Sequence, residues 1–492
     1  NSQMELARQF VKQTNRNIFL TGKAGTGKTT FLHQLRSYLP KRMAVVAPTG
    51  VAAINASGVT IHSFFQISFG PQIPQAWEFE NRPQRIRETT DGIKVHKMNK
   101  NRINLIRSLD LLVIDEISMV RSDLLDAIDD VLRKYRDRKK PFGGLQLLMI
   151  GDLQQLAPVV KDEEWEILGR YYDTPYFFSS LALRQSSFVT IELRHIYRQS
   201  NEAFIGLLNR IRNHQTDSET INALNSRYIQ DFKPTEEEGY ITLTAHNIRA
   251  KQINQIRLNA LTSKTHTFPA SHEGVFPEVS YPTDDQLILK KDAQVMFVKN
   301  DASVEKRYYN GKIGRVTGFR DDGILVISPG ETEPLLVGKE KWENMSYILD
   351  EESKEIREEV IGTFEQFPLK LAWAITIHKS QGLTFDKAII DARASFAHGQ
   401  VYVALSRCRT LEGIVLSTPL SESSVKSDQT VSEFSRGVNE NPADQVELDK
   451  SRIDFQRFLL DDLFNYQSTL YAFQKALFYW QENRESLFGN FE

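Results

Sequence analysis

Between Asn17 and Thr30 the chain reads NIFLTGKAGTGKTT, a stretch that only a strand–loop–helix unit accommodates. Ile18, Phe19 and Leu20 predict a short buried strand, the glycines a loop, and Lys28 onward a helix. The loop fits G-x-x-x-x-G-K-[ST] at every fixed position: Gly22, Gly27, Lys28 and Thr29. Glycines let successive backbone N–H groups turn inward around phosphate oxygens, and the helix N-terminus adds its positive dipole end. Lys28 is expected to reach the β- and γ-phosphates and Thr29 to ligate Mg²⁺, with Ala24, Gly25, Thr26 and Thr30 completing the cradle. A nucleoside triphosphate site follows; what its hydrolysis drives must be read elsewhere.

At 492 residues the chain exceeds a single core, and its length predicts roughly three or four units. Lys and Arg number 61 against 63 Asp and Glu, a net charge of −2, so any nucleic-acid surface must be local. The single cysteine, Cys408, excludes an internal disulfide framework and fits a reducing compartment. No apolar run approaches the ~18 residues of a membrane span, and no signal-peptide pattern opens the chain. An intracellular protein is expected, in a bacterial cytoplasm or nucleoid, or a nucleus or mitochondrion. The start at Asn1 rather than a methionine suggests a trimmed N-terminus.

Leu6, Phe10 and Val11 are spaced as one helix face. The run MAVVA (43–47) followed by PTGVAAINASG reads as strand, turn and small-residue helix, a βαβ unit. Residues 66–100 break the rhythm with Pro71, Pro74 and Pro83, and turn basic at Lys94, His96, Lys97, Lys100 and Arg102. They predict an insertion whose aromatics and cations suit nucleic acid. LDLLVIDE (109–116) is an apolar run ending in two carboxylates, as a central parallel strand would deliver them to the ligand-binding edge. Asp115 is expected to hold Mg²⁺ through water, and Glu116 to orient or deprotonate the attacking water.

Residues 120–136 form an amphipathic pattern, and LQLLMI (145–150) predicts a further strand, capped by GDLQQLAPV. Gln155 is the candidate sensor of the γ-phosphate, with Gln154 the alternative. Residues 187–191 look like the last strand of a first domain, and 241–259 restart the strand–helix pattern without a second P-loop. The second unit is therefore expected to close over nucleotide held by the first, supplying cations. Short strands with glycine turns over 293–367 form a small all-β pattern, and a barrel-like insertion is expected over about 315–366. Residues 421–452 read as a polar, flexible linker. From 453, Phe455, Leu459, Leu463, Tyr466, Leu470, Phe473, Leu477 and Trp480 recur at helical spacing, which predicts packing against the body.

Taken in order, GKAGTGKTT, VVAPTGVAAINASGVTIHSFF, VIDEISMV, GDLQQLAPV, LRHIYRQSN, LAWAITIHKSQGLTFD and VYVALSRCRT resemble the motif set of superfamily-one DNA helicases. The resemblance is to the RecD-like branch and its PIF family, and it covers about residues 1–415. It implies an α/β fold of two tandem RecA-like P-loop NTPase domains, residues 1–190 and 191–420. A wedge insertion would lie at about 66–100 and an SH3-like β insertion at about 315–366, with a linker (421–452) and a helical segment (453–492) after them. The implied activity is an ATP-dependent monomeric motor moving 5′→3′ on single-stranded DNA. It would open duplexes, single-strand/double-strand junctions, forks or G-quadruplexes in genome maintenance.

By position, Arg198 and Arg407 resemble the arginines that reach the γ-phosphate, with Arg409 the competitor of Arg407, and Gln381 a glutamine near the nucleotide. Pro48, Thr49, Gly50, Val51, His62 and Phe64 match the strand-holding motif of the first domain, and Thr376, His378, Lys379 and Ser380 that of the second. Gln3 stands where the family reads adenine, with Gln9 or Gln13 as alternatives. Two other readings are a RecD-like subunit needing a nuclease partner and an ATP-timed DNA scaffold. Polarity rests on the resemblance alone.

Overall fold

The computed structural model describes residues 2–74, 98–197, 199, 201–301, 303, 305–350, 352–391, 399–421, 424–425, 428–440 and 442–483. The expected insertion at 66–100 falls mostly outside them, including Pro83, Lys94, His96 and Lys97, as does Arg198. Within the described flanks, Lys100 opens the helix Lys100–Ser108, and the Arg102 guanidinium lies over the Phe64 ring at 5.4 Å rather than in solvent.

Short, wholly apolar strands build the first sheet: β1 (Asn17–Gly22), β2 (Met43–Ala47), β3 (Val59–Thr60), β4 (Leu111–Ile114), β5 (Gln146–Gly151) and β6 (Phe188–Leu193). They pair in the order β3-β2-β4-β5-β1-β6, all parallel. A parallel sheet must be covered on both faces, which is why β4 reads LLVI with every residue buried. One face packs on Leu125, Ile128 and Leu132 of the helix Ser122–Tyr135, the other on Phe10, Phe31 and Leu35. Thr21 is level with Gly151, and Ile114 with Met149. That register brings the P-loop, the Asp115–Glu116 pair and the turn after β5 to one carboxyl edge, where open α/β sheets bind ligands.

A second parallel sheet follows, formed by β7 (Ile241–Thr244) with three later strands. Between β7 and those strands lies a β-rich segment: β8 (Thr265–Pro269), β9 (Ser271–Gly274), β10 (Gln286–Lys290), β11 (Gln294–Phe297), β12 (Ile313–Arg320), β13 (Gly323–Ile327), β14 (Leu335–Val337), β15 (Glu340–Leu349), β16 (Ile356–Gln366) and β17 (Leu369–Leu371). Its sheets are antiparallel, ordered β14-β13-β12-β11-β17, β15-β16-β9 and β10-β8. The β segment thus starts at Thr265, ahead of the β pattern read from 293 and of the insertion expected from about 315. The strand THTFP was missed because its residues are exposed or only half-buried, leaving no apolar run to read. The chain returns through β18 (Ala374–Thr376), β19 (Ala388–Ile390) and β20 (Ile414–Leu416) to complete the order β18-β7-β19-β20.

The long β15–β16 hairpin reaches back to the first sheet. The Tyr347 hydroxyl accepts a hydrogen bond from Val45 N at 3.1 Å, and Arg36 pairs with Glu358.

The C-terminal expectations need correction. The stretch read as a flexible linker forms the helices Gln429–Glu440 and Gln445–Leu463. Val431 and Leu448 are buried, and the Phe434 ring stacks on Phe178 at 4.3 Å. Two apolar residues three apart are too narrow a stripe to stand out in a polar sequence. Conversely, Leu459, Leu463, Tyr466, Leu470, Phe473 and Leu477 are exposed on the final helices rather than packed on the body. Among the described residues no helix is long and apolar enough to cross a membrane.

Candidate functional site

A cleft of about 1250 Å³ separates the two parallel sheets, and residues from both line it. The first unit contributes Ala24, Gly25, Thr26, Gly27, Lys28, Thr29 and Thr30 together with Asp115, Glu116 and Gln155. Gln381 and Arg407 approach from the second.

The P-loop has the tight geometry its glycines require. A Cβ at Gly22 would sit 2.7 Å from the Leu193 carbonyl and 2.8 Å from Thr26 Oγ1. Gly27 has φ +87°, where a side chain is strained. Lys28 Nζ donates to the carbonyls of Gly22 (2.6 Å) and Lys23 (3.1 Å). Burial pulls its pKa down, while Asp152, Glu116 and Asp115 nearby oppose that.

Asp115 and Glu116 leave the end of β4 as predicted. Glu116 adopts the left-handed backbone, with φ 51°. Burial raises both carboxyls well above the ordinary carboxylate range, and the Asp115 charge raises Glu116 further; Lys28 and Arg407 hold it back. Gln381 Nε2 donates to Glu116 Oε2 at 2.7 Å across the cleft, leaving Gln381 Oε1 buried without a partner.

Of the two candidate arginines, Arg407 is the one at the carboxylates. It is 1% exposed, and its guanidinium donates to the carbonyl of Val403 (3.0 Å) and to Ser406 Oγ (3.0 Å). Arg409 also lines the cleft, but it pairs with Asp386 at 3.3 Å and lies over the Tyr309 ring. Gln155 lines the cleft and donates to Asp152 Oδ2 at 3.1 Å. Gln154 turns away to His214 at 3.0 Å.

Gln3 lines a cavity with Leu6, Glu192 and Arg194, while Met4 beside it lines the cleft. A Cβ on Gly27 would meet Met4 Cε at 2.9 Å and the Tyr197 ring at 3.7 Å, so both side chains lie against the P-loop. Tyr197 N donates to Gly25 O at 2.8 Å. Sequence reasoning also missed Tyr402, whose hydroxyl accepts from Ala24 N at 3.1 Å. The only signal for Tyr197 was its place beside Arg198 in IYRQ.

The expected nucleic-acid residues divide. Thr49, Gly50, Val51, His378 and Lys379 line the same cleft, with Thr49 and Val51 exposed and Pro48 half-buried beside them. The Thr49 hydroxyl accepts from Ala52 N and caps the next helix. His62 stacks on exposed Phe69 at 4.4 Å, and burial lowers its pKa. Burial, with Lys370 and Lys251 nearby, lowers that of Lys379.

Thr376, Ser380 and Phe64 are buried in this arrangement rather than facing the cleft. Ser380 Oγ donates to Ile377 O (2.7 Å) and Thr376 Oγ1 accepts from Lys379 N, shaping the turn that presents His378 and Lys379. Phe64 is 1% exposed and packs edge-on against Phe65 and Tyr347. The Phe64→Ala variant is expected to lose about 3–5 kcal/mol of stability, read from urea melts, with no specific loss of single-strand affinity in the folded fraction.

The PIF1-like helicase family model matches residues 2–222. The mouse ATP-dependent DNA helicase PIF1 is 35% identical over 412 residues, which are 81% of this chain and 57% of that protein. Thus the chain spans less than three fifths of that relative's length. The Bdellovibrio bacteriovorus Pif1 is 30% identical, covering 82% of this chain and 84% of its own. The crystal structure of Bacteroides sp. Pif1 with ADP-AlF4 superposes with a TM-score of 0.79 at 40% identity, over 89% of this chain and 97% of that one. The same protein bound to single-stranded DNA gives 0.62. The two sheets are therefore RecA-like, and the chain belongs to the Pif1 helicase family.

Proposed function

We propose that this chain is an ATP-driven DNA motor that moves 5′→3′ along single-stranded DNA as a monomer and opens duplexes, junctions and forks. G-quadruplexes are a further substrate class, in a genome-maintenance role on intracellular DNA. The observation that carries the reading is the shared cleft. A triphosphate loop on one RecA-like unit faces Gln381 and Arg407 of the other, and Thr49–Val51 and His378–Lys379 line the same space.

In this reading the unit that ends with β6 at Leu193, three residues beyond the expected boundary at 190, holds the nucleotide and the residues after it to 420 act as the lever, with an SH3-like module inserted in the lever. Thr29 and Asp115 suit a magnesium ion: Asp115 is buried with its pKa raised, the state a nearby cation would relieve. Among the described residues no cluster of three His, Cys, Asp or Glu could hold a metal by itself, so the phosphate oxygens would complete its shell. The ion would neutralise charge on the β- and γ-phosphates.

Lys28 binds those phosphates, and Met4 and Tyr197 flank the base. Glu116, oriented by Gln381, takes the proton of the attacking water. Gln155 and Arg407 contact the γ-phosphate, and Arg407 meets charge that grows as the bond breaks. Arg198 is a second arginine of this kind. Hydroxyls, backbone N–H groups and one lysine grip phosphates rather than bases, so binding tolerates any sequence and weakens with salt.

The test is strand displacement on duplexes carrying a 5′ or a 3′ tail, alongside ATP turnover with and without single-stranded DNA. Unwinding of the 5′-tailed duplex alone, by the purified monomer, is the expected result. Turnover indifferent to DNA would overturn the motor. Unwinding only with added nuclease subunits would replace it with a RecD-like subunit.

A further inference from the structure

Behind Gln155 the two RecA-like units meet through charges that the proposed reaction leaves unused. Asp152 opens the turn after β5, with its side chain fully buried. Its carboxylate accepts from Gln154 N (3.2 Å) and from Gln155 Nε2 (3.1 Å). The third donor crosses from the other unit: Arg212 Nη2 lies 3.2 Å from Asp152 Oδ1 and 3.8 Å from Glu192 Oε1 on β6.

Arg212 closes the helix Glu202–Arg212, whose Phe204, Leu208 and Ile211 belong to the second unit's core. Its side chain is 12% exposed. The junction around it is close. A Cβ on Gly399 would sit 1.7 Å from the Gln155 carbonyl, and Tyr402 bonds the P-loop at Ala24.

Arg212 of one unit is hydrogen-bonded to Asp152 and ion-paired with Glu192 of the other, so a shift between the units strains or breaks that link. Buried, the guanidinium cannot release one partner without leaving an uncompensated charge. Asp152 passes that constraint to Gln155, because the same carboxylate holds the Gln155 amide.

We infer that Arg212 is a positioning residue for hydrolysis. Through Asp152 it sets the orientation of Gln155, so the placement of the lever unit is transmitted to the group that faces the γ-phosphate. This rests on the ATPase reading above.

The experiment is a double-mutant cycle on ATP turnover at saturating single-stranded DNA, using Arg212→Met and Gln155→Ala with Arg212→Lys as the conservative variant. Arg212→Met is expected to lower kcat ~10-fold with KM for ATP changed less than ~2-fold. Adding it to Gln155→Ala should cost less than ~2-fold more, since both act through one group. Arg212→Lys should recover part of the loss. If Arg212→Met does not fold by thermal melting, the cycle is run with Arg212→Lys and Asp152→Asn.

Losses that multiply in the double variant, or a raised KM with kcat intact, would overturn the positioning role while leaving the motor standing. Absence of DNA-stimulated turnover in the unsubstituted chain would instead bring down both.

Discussion

Replacing Lys28 with alanine is expected to lower DNA-stimulated ATP turnover by at least ~10³-fold, an effect on the scale of removing a principal charge stabiliser of phosphoryl transfer. The cleft wall explains the size. Asp115, Glu116 and Asp152 all lie close enough to Lys28 to act on its charge, and Asp115 and Glu116 line the cleft that would receive the triphosphate. The lysine is the P-loop cation that offsets them. Its ammonium is already directed at the loop, bonded to the Gly22 and Lys23 carbonyls, so little reorganisation is needed to transfer those bonds to phosphate oxygens. Phosphate release at saturating single-stranded DNA measures the loss. Single-strand affinity without nucleotide, by fluorescence anisotropy, should stay within a few-fold, because Thr49, Val51, His378 and Lys379 are untouched. A variant keeping a tenth of the turnover would remove Lys28 from the reaction.

Much of the nucleotide half was legible because parallel sheets concentrate their signal. β4 is apolar at every position, and the residues after it must emerge at the ligand edge, so LLVI followed by Asp115 and Glu116 is hard to misplace. The glycine loop is equally constrained, since Gly22 has no room for a Cβ. Motif resemblance was weaker at telling inside from outside. Phe64, Thr376 and Ser380 sit within strand-holding motifs, yet they build the core and the turn, while His378, Lys379 and Gln381 beside the last two face the cleft.

The least legible features were contacts between distant residues. Ala24 and Tyr402 lie 378 positions apart, and Asp152 and Arg212 lie 60 apart. No local pattern announces such a pair; only the docking of the two units creates it. The final helix failed for the opposite reason. Its periodicity is genuine, but periodicity alone does not say what lies opposite, and in the structure those side chains face solvent.

Arg407→Ala is expected to reduce turnover by ~10³–10⁵-fold, the range of an arginine that neutralises charge developing on a transferred phosphoryl group. The companion Arg409→Ala should cost less than ~3-fold. Sequence spacing does not separate the two arginines, but their surroundings do. The Arg407 charge acts directly on Glu116, and its guanidinium is anchored by the Val403 carbonyl and Ser406 so that it need not search for its position. Arg409 spends its charge on Asp386 and its face on Tyr309, half-exposed to solvent.

Because Arg407 is buried, deletion also leaves carbonyls without a donor, and part of any loss could be folding. Arg407→Lys separates the two contributions. It keeps the charge but not the planar fork, so it should melt closer to the unsubstituted protein while turnover stays at least ~10²-fold down. ATP binding, followed with a fluorescent nucleotide, should weaken far less than kcat, because the arginine acts on charge that appears only as the bond breaks. Turnover sensitive to Arg409 and indifferent to Arg407 would reverse the assignment. It would also go against the present arrangement, in which the charge of Arg407 rather than that of Arg409 acts on Glu116.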